Sequence, residues 1–453
     1  MKIPRFLIGA VHSGSGKTMI TCGLLYLLKK RGLSLTSYKC GPDYIDPMFH
    51  RTVIGITGGN LDTFFSSAQD VRRILSMTAT DMAVMEGVMG LYDGIGGTDI
   101  KGSSYEVAAI TGTPVILVVD GYGSGRTMIS VVKGILADDK EKLIKGIIFN
   151  KVSSGFYERI APVIHQEITA AGYEVQLLGA IPRVNDIIID SRHLGLMMPQ
   201  EIPDVIDNVS RMARVIEDNC DVEGIMAIAD MAGNTDCFVD EMKSQEDVRH
   251  FNIGVARDEA FCFYYNENLE YLKKTGACIK EFSPIHDEKL PENIDGLLLG
   301  GGYPENYLKE LSANLTMLND IQKFAQSGRF IIAECGGFMY LHDYIEDKEG
   351  RRYDMAGIVK AGCHYTGKLV RFGYITLEGE DPLCGMRGHE FHYYDSDDNG
   401  DDFEILKAGA DVNWKGMHVS DKMLLGFPHL YYDSNPDGIR KFIYNNLSMI
   451  KGK

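Results

Sequence analysis

Short apolar runs, each closed by a polar residue or a glycine turn and then followed by a helical repeat, recur along the chain. Phe6 to Ala10 is the first, with the length of one buried strand, and it leads into the turn Ser13-Gly14-Ser15-Gly16. From Lys17 the period changes. Ile20, Leu24, Leu27 and Leu28 share one face of a predicted helix, and Gly32 supplies its stop. The runs LTSYK, MAVME, VILVVD and GIIFN predict strands that end at Lys39, Glu86, Asp120 and Asn150. Strands alternating with helices predict a mostly parallel sheet with helices on both faces. A helical pattern covers Pro203 to Asp221, and mixed charge with weak periodicity follows from Asn219 to His250.

A second α/β pattern opens at Phe251 with FNIGVA. Asp295 to Leu299 reads as a strand running into GGGYPE, Leu315 to Ser327 as a helix, and Phe330 to Ala333 as a strand entering ECGG. The expectation is therefore an α/β protein of two domains, 1–240 and 248–453, joined near Val239 to Arg249.

Composition narrows the function classes. At 453 residues there is ample material for two cores. A net charge of −17 argues against general binding to nucleic acid or a membrane surface, which needs a basic face. It leaves small anionic ligands open. No apolar run approaches the ~20 residues that span a bilayer. The N-terminal apolar stretch runs straight into the glycine turn and reads as a strand, not a signal peptide. Nine scattered cysteines without C-x-x-C suit reduced thiols in a cytoplasm. Zinc is not expected: HEFH at His389 to His392 lacks the H-E-x-x-H spacing, and its histidines read as structural or substrate-facing.

Strand, glycine loop, then Gly-Lys-Thr at a helix start is the phosphate cradle of the P-loop class, although Val11 stands where the full motif has its first glycine. Backbone N–H groups of Ser13, Gly14, Ser15 and Gly16 face phosphate oxygens, Lys17 adds a point charge, and the Thr18 hydroxyl can ligate Mg²⁺. Ligands of an open α/β sheet lie beyond the strand carboxyl ends. Thr18, Asp46 and Glu86 are thus the first choice for a metal shell on ATP, with Asp43 and Asp93 behind them. A single loop aspartate is more often a turn or cap residue. Asn150 can meet an adenine edge or merely local backbone. Lys39, Asp43, Tyr44, Asp93, Arg192 and His193 are candidates for an acidic substrate. Cations such as Arg183 and Arg192 also fit surface ion pairs.

Cys335 follows an apolar strand and precedes Gly336 and Gly337, the pattern of a nucleophile elbow. The helix start is expected to favour the thiolate. Gly336 N–H with Gly301 and Gly302 forms the candidate oxyanion hole. Its base is best sought in His429, in LLGFPHLYY, with His364, His389, His392 and His418 as rivals on position alone.

GPDYID, MEGVMGLYDG, SRHLGL, FCFYY (Phe261 to Tyr265), LGGGYPE and AECGG, in this order along nearly the whole chain, resemble the cobyrinic acid a,c-diamide synthase family. The resemblance implies an amino-terminal P-loop ligase domain similar to dethiobiotin synthetase and a carboxyl-terminal class I glutamine amidotransferase-like domain. It implies Cys335 as the nucleophile that hydrolyses glutamine and His429 as its activator. Lys17, Thr18, Asp46 and Glu86 are implied to hold ATP and Mg²⁺, and a tetrapyrrole polycarboxylate to be amidated twice through acyl phosphates. Many amidotransferases of the broader class follow the histidine with proline and glutamate. Here Leu430 and Tyr431 follow, which implies a Cys-His pair without the usual third member. Hydrogenobyrinic acid and nickel-sirohydrochlorin are alternative substrates. A P-loop regulatory or partitioning ATPase with an inert glutaminase-like module is the reading of another class, and the elbow cysteine counts against it. The oligomeric state, a homodimer included, is left open.

Overall fold

The computed structural model describes residues 2–78, 80–184, 205–234, 248–380 and 382–451. The chain divides into two compact units, Met1–Asp240 and Glu241–Lys453. Most of the expected junction, and the candidates Arg192 and His193, lie outside the described residues.

In the first unit seven strands alternate with helices: β1 (Arg5–Ala10), β2 (Leu35–Cys40), β3 (Gly58–Leu61), β4 (Met82–Glu86), β5 (Val115–Asp120), β6 (Ile144–Asn150) and β7 (Gln176–Ile181). They form one sheet in the order β3-β2-β4-β1-β5-β6-β7, every neighbour parallel. Both faces are covered, which is why the central strands read as continuous apolar runs. Ile8, Val84, Ile116 and Ile148 pack on one face with Ile20, Leu24, Leu27 and Leu28 of α1 (Lys17–Lys30) and with Val209 and Ile216 of the helix Val205–Asn219. Leu7, Met85, Leu117 and Phe149 pack on the other. The strand order reverses around β1, so the binding crevice of this topology falls at the end of β1, where the glycine loop begins.

Arg5 is wholly buried within β1. Its guanidinium donates to Ile3 O and Gly233 O at 2.9 Å, to Thr111 O at 2.5 Å and to Thr113 Oγ1 at 2.9 Å. It thereby ties the first strand to the turn before β5 and to the segment after the last helix of the unit. Burial brings its pKa down to about 10, which keeps it charged at neutral pH.

The second unit is centred on β8 (Phe251–Ala256), β9 (Ala277–Phe282), β10 (Gly296–Leu299) and β11 (Phe330–Glu334). With Met423–Gly426 these run parallel, and His418–Val419 closes one edge antiparallel. Two smaller, largely antiparallel sheets occupy the stretch from His342 to Leu430. One carries Arg371–Glu378, Arg387–His392 and the two-residue strand His429–Leu430.

Arg5→Leu leaves four acceptors without their donor, three of them main-chain carbonyls, and is expected to cost about 3 kcal/mol. Thermal unfolding of the variant against the parent checks this, and an unchanged midpoint would contradict it.

Candidate active sites

The first site is assembled from strand ends. Gly16 stands in the left-handed region at φ 93°, and a Cβ there would lie 2.3 Å from Asn150 Nδ2. Only glycine allows this approach. Asn150 Nδ2 donates to Ser15 O at 2.8 Å, and Asn150 Oδ1 accepts from Lys151 N–H at 2.9 Å. Both ends of the amide are therefore used on local backbone. Asn150 thereby tethers the phosphate loop, and its amide keeps a second Nδ2 hydrogen and a second Oδ1 lone pair for a further partner. Lys151 adds a second tether, donating to Gly14 O at 3.2 Å and to Asp120 Oδ2 at 2.6 Å. Ser15 Oγ donates to His12 O at 2.8 Å, and Lys17 Nζ donates to Met89 O. Burial and the nearby Lys39 ammonium lower Lys17 to about 8.

Behind the loop lies a buried charge cluster. Thr18 Oγ1 donates to Glu86 Oε1 at 2.7 Å. Lys39 Nζ donates to the same oxygen at 3.0 Å and to Asp46 Oδ2, with Asp43 Oδ2 at 3.9 Å. His50 Nε2 is 3.5 Å from Glu86 Oε2, and its Nδ1 is 3.1 Å from Ser37 Oγ. His50 went unnoticed in the sequence, where only its place at the end of DPMFH marked it. Burial alone would push Glu86 up, but Lys39 and His50 hold it well below the usual carboxylate range. Burial and the adjacent Glu86 push Asp46 up. Asp46 Oδ1 is buried without a hydrogen-bond partner among the described residues. A buried orphan carboxylate oxygen beside a hydroxyl and a second carboxylate fits a divalent cation of the oxygen-ligated kind.

Three substrate candidates make contacts within the fold. Lys39, 4% exposed, has its ammonium spent on Asp46 and Glu86, so it neutralises the cluster instead of facing a substrate. Asp43 Oδ1 accepts from Ile45 N–H at 2.8 Å, capping α2 (Ile45–Phe49). Asp93 Oδ2 accepts from Gly90 N–H at 2.8 Å, a turn contact. Tyr44, half-buried, immediately precedes α2.

The second site is the elbow. Cys335 sits between β11 and the helix Gly336–Tyr340 at φ 46°, a strained conformation for a residue with a side chain. Its N–H donates to Gly426 O at 2.8 Å, and Gly337 N–H donates to Gly300 O at 2.9 Å, which fixes the bend against two neighbouring strands. The Gly336 N–H faces the sulfur. Even so, burial and the carboxylates of Glu305 and Glu390 push the thiol up. This corrects the expected thiolate. One N–H at the head of a five-residue helix does not outweigh desolvation and two acidic neighbours. Burial also raises Glu305 to about 7 and Glu334 to about 8.

His429 is 3% exposed, and its ring lies against Gly301, where a Cβ would be 2.2 Å from Cε1. Burial, with His389 and His392 nearby, lowers it to about 3, so the imidazole is neutral, the form a base requires. Among the rivals, His389 stands opposite His429 in the strand register. His392 stacks on Phe427 at 4.0 Å and meets Glu390 Oε2 at 3.0 Å, a structural use. His364 and His418 lie 3.7 and 3.5 Å from Asp397 and Asp398. Of the glycines proposed for the oxyanion hole, Gly302 places its nitrogen 3.2 Å from where a Cβ on Gly336 would lie.

Gly301→Ala must displace the His429 ring. Glutamate release from glutamine is expected to fall about 100-fold, the usual result of misplacing a catalytic group by an ångström. Wild-type release from this variant would contradict the placement.

Comparison with known proteins accords with both sites. Residues 6–196 match the CobQ/CobB/MinD/ParA nucleotide binding domain, and residues 252–435 match the CobB/CobQ-like glutamine amidotransferase domain. The cobyrinate a,c-diamide synthase of Picrophilus torridus is 36% identical over 449 residues, covering 98% of this chain and 99% of its own. Those of Fusobacterium nucleatum and Thermoplasma volcanium are also 36% identical, covering 94% and 98% of this chain and 97% of each relative. With a P-loop crevice in one unit, an elbow cysteine in the other and relatives matching over nearly their full length, the chain belongs to the cobyrinate a,c-diamide synthase family.

Proposed function

We propose that this enzyme amidates the a and c acetate carboxylates of cobyrinic acid, using ATP and glutamine, in cobalamin biosynthesis. One observation carries the reading: the same chain holds a phosphate loop backed by a buried carboxylate pair in one unit, and a thiol on a strained elbow and a buried neutral histidine in the other. A partitioning ATPase has no use for the second of these.

In the first unit a substrate carboxylate oxygen attacks the γ-phosphorus of ATP, ADP leaves, and an acyl phosphate forms. Lys17 and the loop N–H groups balance the charge on the transferring phosphoryl group. Thr18, Asp46 and Glu86 would hold Mg²⁺, which supplies charge neutralisation at the phosphates. Arg192 and His193 are retained as cations for the substrate carboxylates. In the second unit Cys335 loses its proton to His429 as its sulfur attacks the glutamine amide, while Gly336 N–H and the Gly301–Gly302 loop receive the oxyanion. The proton passes to the leaving ammonia, and water then releases glutamate from the thioester. Ammonia attacks the acyl phosphate and expels phosphate. Among the described residues eight cysteines are free thiols, which supports a reducing cytoplasm as the place of action.

Amide formation across a panel of cobyrinic acid, hydrogenobyrinic acid and nickel-sirohydrochlorin tests the substrate. A diamide formed most efficiently from the cobalt corrin is expected. Turnover confined to the nickel compound would contradict the assignment. Asp46→Asn and Glu86→Gln are each expected to lower amidation at least about 100-fold with either glutamine or ammonia, as loss of phosphoryl-transfer electrostatics does. Near-normal ammonia-driven turnover in both would remove these residues from the metal shell.

A further inference from the structure

A histidine acts as a base for a neighbouring thiol only when something fixes its ring. In this chain the two residues after His429 are Leu430 and Tyr431, and Tyr431 packs edge-on against Tyr265 with ring centroids 5.5 Å apart. The segment that carries His429 is nevertheless held at several points by buried polar side chains. Asn268, 5% exposed on the helix Asn266–Lys274, uses both ends of its amide here. Its Nδ2 donates to Leu430 O at 2.7 Å, and its Oδ1 accepts from Tyr432 N–H at 2.9 Å. Glu334, the residue immediately before the nucleophile, accepts from Leu430 N–H and from Tyr432 Oη, the latter at 3.4 Å. The main chain of Leu430 is thus gripped on both its N–H and its carbonyl, one residue from the base. One of the two grips starts one residue from Cys335.

These contacts are costly to bury for packing alone. A carboxyl group ending a core strand and an amide beneath a two-residue strand both need complete partnering to be tolerated. Apolar residues would fill the same volume without that requirement.

We infer that Asn268 and Glu334 are positioning residues for the Cys335–His429 pair, locking the Leu430–Tyr432 backbone so that the imidazole stays in line with the thiol. They act on the ring through the main chain that carries it. Glu334 couples the two partners directly, because the strand that delivers the sulfur also holds the segment that delivers the base. The inference rests on the reading of Cys335 and His429 as the glutamine-hydrolysing pair.

The test compares Asn268→Asp, Glu334→Gln and Glu334→Leu in the full-length enzyme, and Asn268→Asp again on a His429→Ala background. Asn268→Asp keeps the acceptor and removes the donor, whereas Glu334→Gln keeps an acceptor for Leu430 N–H and Tyr432. Asn268→Asp and Glu334→Leu are expected to lower glutaminase kcat about 30-fold, part of what a general base contributes. KM for glutamine should stay within about threefold, and Glu334→Gln should restore kcat to within about threefold of the parent. Ammonia-driven amidation should be unchanged in all three. On the His429→Ala background Asn268→Asp should cost less than about twofold more, because its effect passes through the missing ring. Wild-type kcat in Asn268→Asp, or an undiminished further loss without His429, overturns the inference. So does a loss of ammonia-driven amidation in Asn268→Asp, since the effect would then be global. Full glutaminase activity in His429→Ala itself would instead sink the base assignment, a distinguishable failure.

Discussion

A buried ammonium between two buried carboxylates is the interaction on which the catalytic end of the first unit depends. Moving any one of Lys39, Asp46 or Glu86 out of water alone costs several kcal/mol, and each is tolerated only because the others lie within ion-pair distance. Three pieces of chain are fixed by that requirement: the end of β2 supplies Lys39, the end of β4 supplies Glu86, and α2 supplies Asp46. Thr18 joins α1 to the same point through Glu86. The helix start that faces the phosphates is therefore set by electrostatics at its base as well as by packing along its length.

The second unit meets a different constraint with main-chain bonds. Cys335 has to point out of a tight bend, and its strained backbone persists because its N–H and that of Gly337 are each committed to a neighbouring strand. Burial and the carboxylates of Glu305 and Glu390 push its thiol up, and burial keeps the His429 imidazole neutral.

Much of this was legible because buried parallel strands leave a strong signature. The runs ending at Lys39, Glu86, Asp120 and Asn150 became strands whose ends lie where read, within one residue, and ECGG after an apolar run marked the elbow. What could not be read was where a side chain spends its charge. Lys39 reads as a substrate cation in the sequence, yet in the fold its ammonium meets Glu86, 47 residues away, and Asn150 reaches the loop carbonyl of Ser15, 135 residues away. The thiolate expectation failed for the same reason: Glu305 and Glu390 approach Cys335 only in the fold. The antiparallel sheets between His342 and Leu430 leave no such signature, because their three longest strands are only partly buried and a glycine interrupts the alternation in each.

The central claim is that nitrogen is released by the thiol in one unit and consumed by the ATP-dependent chemistry of the other, so one substitution should separate them. The direct measurement is amidation by Cys335→Ala with glutamine and, separately, with concentrated ammonium salt at raised pH. The account predicts no glutamine-driven product, no glutamate release and ammonia-driven amidation at the rate of the parent. Full glutamine-driven activity in this variant, or loss of the ammonia-driven reaction in a folded protein, would contradict it.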